Sequence, residues 1–154
     1  MVETLISHNL KISTAESCTG GLISAYITSF PGSSAVFDMG FATYSNDAKH
    51  NLLGVSNDTL HKYGAVSKET ALEMSRGVML KSGADIGVSV TGIAGPGGGS
   101  KEKPVGLVYI SLCSKQEHIF FQLNLDGNRD EIRKQTLDKV IDMVEKHIEK
   151  WYNK

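Results

Sequence analysis

The sequence predicts an α/β fold: a single three-layer α/β/α domain over residues 1–154, built on a mixed sheet. Two observations carry this. Short strand patterns alternate with helical periodicity through the first two thirds of the chain. Two strand patterns then follow one another late, Val105–Cys113 and His118–Leu125, with only Ser114–Glu117 between them, which is an antiparallel hairpin. Neither an internal repeat nor a linker divides the 154 residues, a length sufficient to bury a core.

Met1–Asn9 is too short to distinguish a helical turn from an ordered tail. Leu10–Thr14 alternates Leu10, Ile12 and Thr14 against Lys11 and Ser13 and reads as the first strand. From Thr19 the chain turns helical, with Leu22, Ile23, Tyr26, Ile27 and Phe30 on one face and Pro31-Gly32 as its stop. Ser33 or Ser34 is placed to cap a short turn through Ala35–Asp38, and Gly40–Tyr44 reads as the second strand. Asn46 or Asp47 caps a short helix closed by Gly54, and a second brief helix covers Asp58–Tyr63 before Gly64.

Ser67 opens a longer helix whose inner face holds Ala71, Met74, Ser75, Val78 and Met79, ending near Gly83. Asp85–Thr91 is the next strand, with Ile86, Val88 and Val90 alternating against Gly87 and Ser89. The glycine-rich stretch Gly92–Pro104 exceeds an ordinary connector, since loops of more than about 12 residues are usually functional or disordered. After the hairpin, Asp126-Gly127-Asn128 breaks the pattern. A last helix from Arg129 to Trp151 aligns Ile132, Leu137, Val140, Ile141, Val144, Ile148 and Trp151.

Charge excludes some classes. With 16 basic against 17 acidic residues the net charge is −1, so no global basic field points to nucleic acid. No apolar run approaches the roughly 18 residues of a membrane span, and no signal peptide pattern precedes the first strand. Cys18 and Cys113 are too few for a disulfide framework and lack metal-ligand spacing, which suits a cytoplasmic protein with reduced thiols. Asp38, Asp47, Glu16 and the histidines show no ligand spacing either, so the expectation is a site with neither metal nor cofactor.

Three polar stretches are expected to converge on one ligand: Thr14–Gly21, Gly32-Ser33-Ser34 and Thr91–Ser100. The first is a strand breaking into hydroxyl residues and glycines before a helix, which aims N–H groups at an anion or a polarised carbonyl. The third suits phosphate, because glycines let successive amides line one concavity, although it fits neither the P-loop nor the dinucleotide spacing. Nucleophile candidates are Ser17, Cys18, Thr19, Ser33, Ser34 and Thr91. His8, His50, His61, His118 and His147 all lie outside these loops, which disfavours a Ser–His pair. A desolvated lysine can replace histidine, and Lys49 is the best placed. Arg129 could grip a phosphate or carboxylate bidentately.

The blocks Ala15–Gly21, Pro31–Ala35, Tyr44–Lys49, Gly64–Ser67, Gly92–Ser100, Lys103–Gly106 and Gly127–Asp130 together resemble the C-terminal domain of the competence/damage-inducible protein CinA. The resemblance implies a nicotinamide mononucleotide amidohydrolase, which releases ammonia and nicotinic acid mononucleotide in pyridine nucleotide salvage. It implies a Ser/Lys pair on Ser34 and Lys49, with Ser17 and Tyr44 in the same pocket and the attack assigned to either serine. Thr91 and Arg129 match substrate-binding positions, and Thr19, Gly20, Ser33, Gly92 and Gly95 complete the expected substrate contacts. The partner is then a small nucleotide, with leftover apolar residues on the short helices leaving room for a homodimer. The competing reading is a nucleotide- or phosphate-binding module without turnover, associated with competence or the response to DNA damage.

Overall fold

A computed structural model describes residues 1–153. Its elements run α1 (Val2–Ser7), β1 (Ile12–Glu16), α2 (Leu22–Thr28), a 3-10 turn at Ser33–Ala35, β2 (Phe37–Ala42), α3 (Asn46–Leu53), α4 (Asn57–Tyr63), α5 (Lys68–Ser82), β3 (Ile86–Gly92), β4 (Leu107–Ser114), β5 (His118–Asn124) and α6 (Arg129–Tyr152). The five strands form one sheet in the order β2-β1-β3-β4-β5. β1 lies parallel to both β2 and β3, and β4 and β5 add antiparallel, so the sheet is mixed as expected.

Both faces of the sheet are covered at its central strands, which changes the meaning of the alternation there. In β3, Ile86, Val88 and Val90 join the large core formed with α1, α2 and α6. Gly87 and Ser89 face α5: a Cβ on Gly87 would stand 2.2 Å from the Ser75 carbonyl, and Ser89 Oγ donates to the Ala71 carbonyl at 2.6 Å. The alternation is therefore large against small between two helical layers, rather than apolar against solvent. All five residues of β1 are buried for the same reason, so its polar members Ser13, Thr14 and Glu16 have to find partners inside.

Local signals set most boundaries, with some shifts. β1 begins two residues later than Leu10 and runs to Glu16, and β2 begins at Phe37 rather than Gly40. The turn after α2 spans Ser33–Ala35 and is opened by Gly32 at φ 83°, so neither Ser33 nor Ser34 is its cap. Ser45, not Asn46 or Asp47, caps α3 by accepting from the Ala48 amide. Ser67 caps α5, and Gly54, Gly64 and Gly83 end α3, α4 and α5. Asn128 and Glu131 close a capping box on α6. Residues 2–7 are helical because Val2 and Leu5 bury against the core, and the terminal amine pairs with Glu145 on α6.

Candidate active site

β1, β2 and β3 are parallel, so their carboxyl ends lie along one edge of the sheet, where open α/β folds hold ligands. The pairing continues past the strands: Ser17 N–H donates to the Val90 carbonyl at 2.9 Å and Thr43 N–H to the Glu16 carbonyl at 2.8 Å. Ser17, Thr43 and Thr91 are thereby brought side by side. From Thr43 the chain enters α3, whose Lys49 turns back under the strand ends. A cavity of about 270 Å³ opens there, lined by Ser17, Cys18, Tyr44, Lys49, Ala65, Val66, Thr91, Arg129 and the stretch Gly92–Gly95 with Gly97 and Gly98.

Lys49 is 1% exposed. Its Nζ donates to the Thr43 carbonyl at 2.7 Å and reaches Ser17 Oγ at 3.1 Å. Among the described residues no carboxylate forms an ion pair with it. A buried ammonium with neutral partners is poorly solvated, and burial lowers its pKa from 10.5 to about 8. Once deprotonated, this amine can still donate to Thr43 while turning its lone pair toward the Ser17 hydroxyl. Cys18 answers the reverse logic: burial raises its thiol to about 11, outweighing a hydrogen bond from its own backbone amide and the fields of Arg129 and Arg133. At neutral pH it is a thiol and a weak nucleophile.

Ser17 opens a tight turn in which Gly20 N–H donates to the Ser17 carbonyl at 3.0 Å. The two central amides, of Cys18 and Thr19, donate to no other residue among those described. The positive end of α2 is already taken. Glu16, 1% exposed, accepts from the amides of Gly21, Ile23 and Ser24 at 3.1, 3.0 and 2.8 Å and from Ser24 Oγ at 2.8 Å. The strand-to-helix junction that looked like an anion site thus holds the chain's own carboxylate. What remains open is the turn that precedes it.

The far wall is the glycine-rich loop. Arg129, on the first turn of α6, donates from Nη1 to the Gly95 carbonyl at 2.8 Å and from Nη2 to Tyr44 Oη at 2.9 Å, bridging the cavity mouth. Lys103 ties the returning arm of the loop to the Tyr63 carbonyl at 2.6 Å. The amides of Gly95, Gly97 and Gly98 are left without acceptors among the described residues.

The structure brings Ser17, Lys49, Tyr44, Thr91, Gly92, Gly95 and Arg129 into one site. Thr91 serves the wall: its hydroxyl donates to the Ala65 carbonyl at 2.7 Å. Ser34 is not there. The 3-10 turn sits at the start of β2, and Phe37 pairs with Ile12 at the start of β1, so Ser33 and Ser34 lie at the opposite end of the sheet. The five residues of β1 alone put roughly 13 Å between the two ends. Proximity in sequence to Lys49 misleads because β2 carries the chain across the sheet between them. Gly20 is exposed, Thr19 is buried with its hydroxyl unpartnered, and neither is in the cavity lining.

No histidine lines this cavity among the described residues, and none of their side chains form a group of three or more metal-binding types. A larger cavity of about 490 Å³ lies between α6 and the β4–β5 hairpin, where His147 Nδ1 pairs with Glu117 at 2.8 Å. It holds no hydroxyl or thiol beside a base. Arg133 was not singled out by the sequence: its Nη2 donates to the Thr19 carbonyl at 2.8 Å, and the only advance signal was its position one turn after Arg129. No helix among the described residues is long and apolar enough to cross a membrane.

Comparisons agree with this architecture. Residues 1–148 match the model of the CinA C-terminal domain. A relative from Clostridium acetobutylicum, provisionally named a competence-damage inducible protein, is 53% identical over 144 residues, 94% of this chain and 35% of its own length. One of the same name from Acetivibrio thermocellus is 53% identical over 95% of this chain and 35% of its own length. The chain spans about a third of the length of these curated relatives. Among solved structures, the competence/damage inducible protein CihA from Agrobacterium tumefaciens superposes with a TM-score of 0.90 at 48% identity, over 93% of this chain and 88% of that one. The competence damage-inducible protein A (ComA) from Klebsiella pneumoniae gives 0.93 at 31% identity, over 97% and 92%. This chain belongs to the CinA C-terminal domain family.

Proposed function

We propose that this domain hydrolyses the carboxamide of nicotinamide mononucleotide, with Ser17 as nucleophile and Lys49 as its base. The observation that carries the reading is the buried, carboxylate-free Lys49 amine 3.1 Å from Ser17 Oγ. Burial that brings its pKa to about 8 leaves roughly a tenth of it neutral at pH 7, enough to serve as a base. The family resemblance supports the choice of substrate. So do Arg129 and the free amides of Gly95, Gly97 and Gly98, a set suited to a phosphate at the cavity mouth.

In the first step Ser17 Oγ attacks the carboxamide carbon as its proton passes to Lys49 Nζ. The carbonyl oxygen takes up negative charge facing the free amides of Cys18 and Thr19. Collapse breaks the C–N bond, Lys49 returns the proton to the leaving nitrogen, and ammonia departs from an ester on Ser17. Water then attacks that ester, giving its proton to Lys49. Lys49 protonates Ser17 Oγ as nicotinic acid mononucleotide leaves, its carboxyl proton passing to solvent. The Thr43 carbonyl holds the amine in line throughout.

The test is ammonia release from nicotinamide mononucleotide by the wild-type domain and by Ser17→Ala. Turnover in the first and none in the second is expected, with both folded by circular dichroism. A wild-type domain that binds the nucleotide without releasing ammonia would leave the binding-module reading in its place.

A further inference from the structure

We infer that Arg133 is a positioning residue for the proposed hydrolysis, holding the Ser17–Gly20 turn so that the amides of Cys18 and Thr19 face the reacting carbonyl. This rests on the reading above. The turn is pinned from the sheet side by Ser17 N–H on the Val90 carbonyl and from the helix side by Gly21 N–H on Glu16. Its outer peptide, between Thr19 and Gly20, has three contacts: Gly20 N–H on the Ser17 carbonyl at 3.0 Å, Leu22 N–H on the Thr19 carbonyl at 3.1 Å, and Arg133 Nη2 on the same carbonyl at 2.8 Å, the one of the three that comes from outside the turn and the helix it opens. Gly20 stands at φ 59° and Gly21 at φ 105°, so the backbone here has the freedom to rotate. Arg133 is the one side chain among the described residues that hydrogen-bonds the carbonyls of Cys18 through Gly20.

The guanidinium comes from rigid backbone. It lies one turn beyond Arg129 on α6, and its other nitrogen stands 3.8 Å from Asp130. The two arginines divide the work. Arg129 faces the cavity and the glycine-rich loop, whereas Arg133 does not line the cavity and contacts the turn from behind. It therefore acts on the orientation of the donors rather than on the substrate. A donor displaced by about 1 Å from the developing oxyanion loses much of its effect, which appears in kcat and not in substrate affinity.

The experiment compares wild type with Arg133→Gln and Arg133→Lys, measuring ammonia release from nicotinamide mononucleotide and exchange of the Gly20 amide by NMR. Arg133→Gln is expected to lower kcat about tenfold or more with KM within twofold, and to speed Gly20 exchange about tenfold. Arg133→Lys, which keeps one donor and the charge, recovers part of both. Unchanged kcat, or a loss confined to KM, overturns the assignment. If the wild type itself releases no ammonia, the hydrolase reading fails on its own. The hold on the turn is then decided by Gly20 exchange alone, and exchange unaltered by Arg133→Gln overturns it.

Discussion

Replacing Lys49 by arginine separates a base from a cation. Arginine keeps its proton across the accessible pH range, so Lys49→Arg retains positive charge near Ser17 but cannot accept a proton. With burial setting the lysine near 8, its neutral fraction is about one tenth at pH 7, one half at pH 8 and nine tenths at pH 9. Initial rates of ammonia release at low substrate should therefore rise nearly tenfold from pH 7 to pH 9 and then level off. An unshifted lysine at 10.5 would give a rise with no plateau below pH 10. Lys49→Arg should lose about 10²–10⁴ in kcat/KM at every pH, the range of general-base catalysis. A variant retaining a tenth of the activity, or a wild-type profile flat between pH 7 and 9, would refute the role. Stability gives an independent sign. The folded state holds the Lys49 proton less tightly than the unfolded state, so the domain is destabilised by this group below pH 8 and recovers stability as pH rises from about 8 toward 10.5. Lys49→Met should accordingly melt higher at pH 7, by about 2 °C or more, the shift that roughly 1 kcal/mol gives a chain of this size.

Ser17→Ala should abolish turnover while Ser34→Ala leaves kcat within about twofold, because Ser34 is exposed at the other end of the sheet; the reverse result in steady-state kinetics would return the attack to Ser34. Arg129→Ala should raise KM for the nucleotide more than it lowers kcat, since its two hydrogen bonds are to Gly95 and Tyr44 at the mouth; a pure kcat effect would count against a grip on phosphate. Gly77→Ala, inside α5, should destabilise by about 1–3 kcal/mol in urea unfolding although alanine is the better helix former, because its Cβ would stand 2.0 Å from the Leu53 carbonyl. The Glu117 carboxyl is opposed by its own burial, yet hydrogen bonds from His147 and Lys150 hold it down at about 2. Its contribution is present above pH 4.5 and lost as pH falls toward 2, so Glu117→Gln should flatten the acid limb of a melting-temperature profile.

Much of the fold is local and was therefore readable. Ser67, Gly54, Gly64 and Gly83 act on their own neighbours, and the stripe on α6 needs no tertiary information. What the sequence hid was direction through space. Ser34 and Lys49 are 15 positions apart, yet β2 sends them to opposite ends of the sheet, whereas Ser17 meets Lys49 across 32 positions because β1 and β2 run parallel. Glu16 read as part of an anion-binding stretch, and only burial reveals it as the anion. Arg133 carries no local signal beyond its place one turn after Arg129 on α6.

The 24 residues of α6 span about 36 Å. One end carries Arg129 at the cavity mouth and Arg133 behind the Ser17–Gly20 turn, and the other is clamped to the hairpin turn by His147 and Lys150 on Glu117. Such a rod is a lever. A pivot of about 2° at the Glu117 clamp swings the arginine end by about 1 Å, a displacement that can cost 100-fold in rate when it falls on a reacting geometry. For the hydrolysis proposed above, loosening the salt-bridged joint at one pole of the sheet would therefore be felt as lost rate at the other.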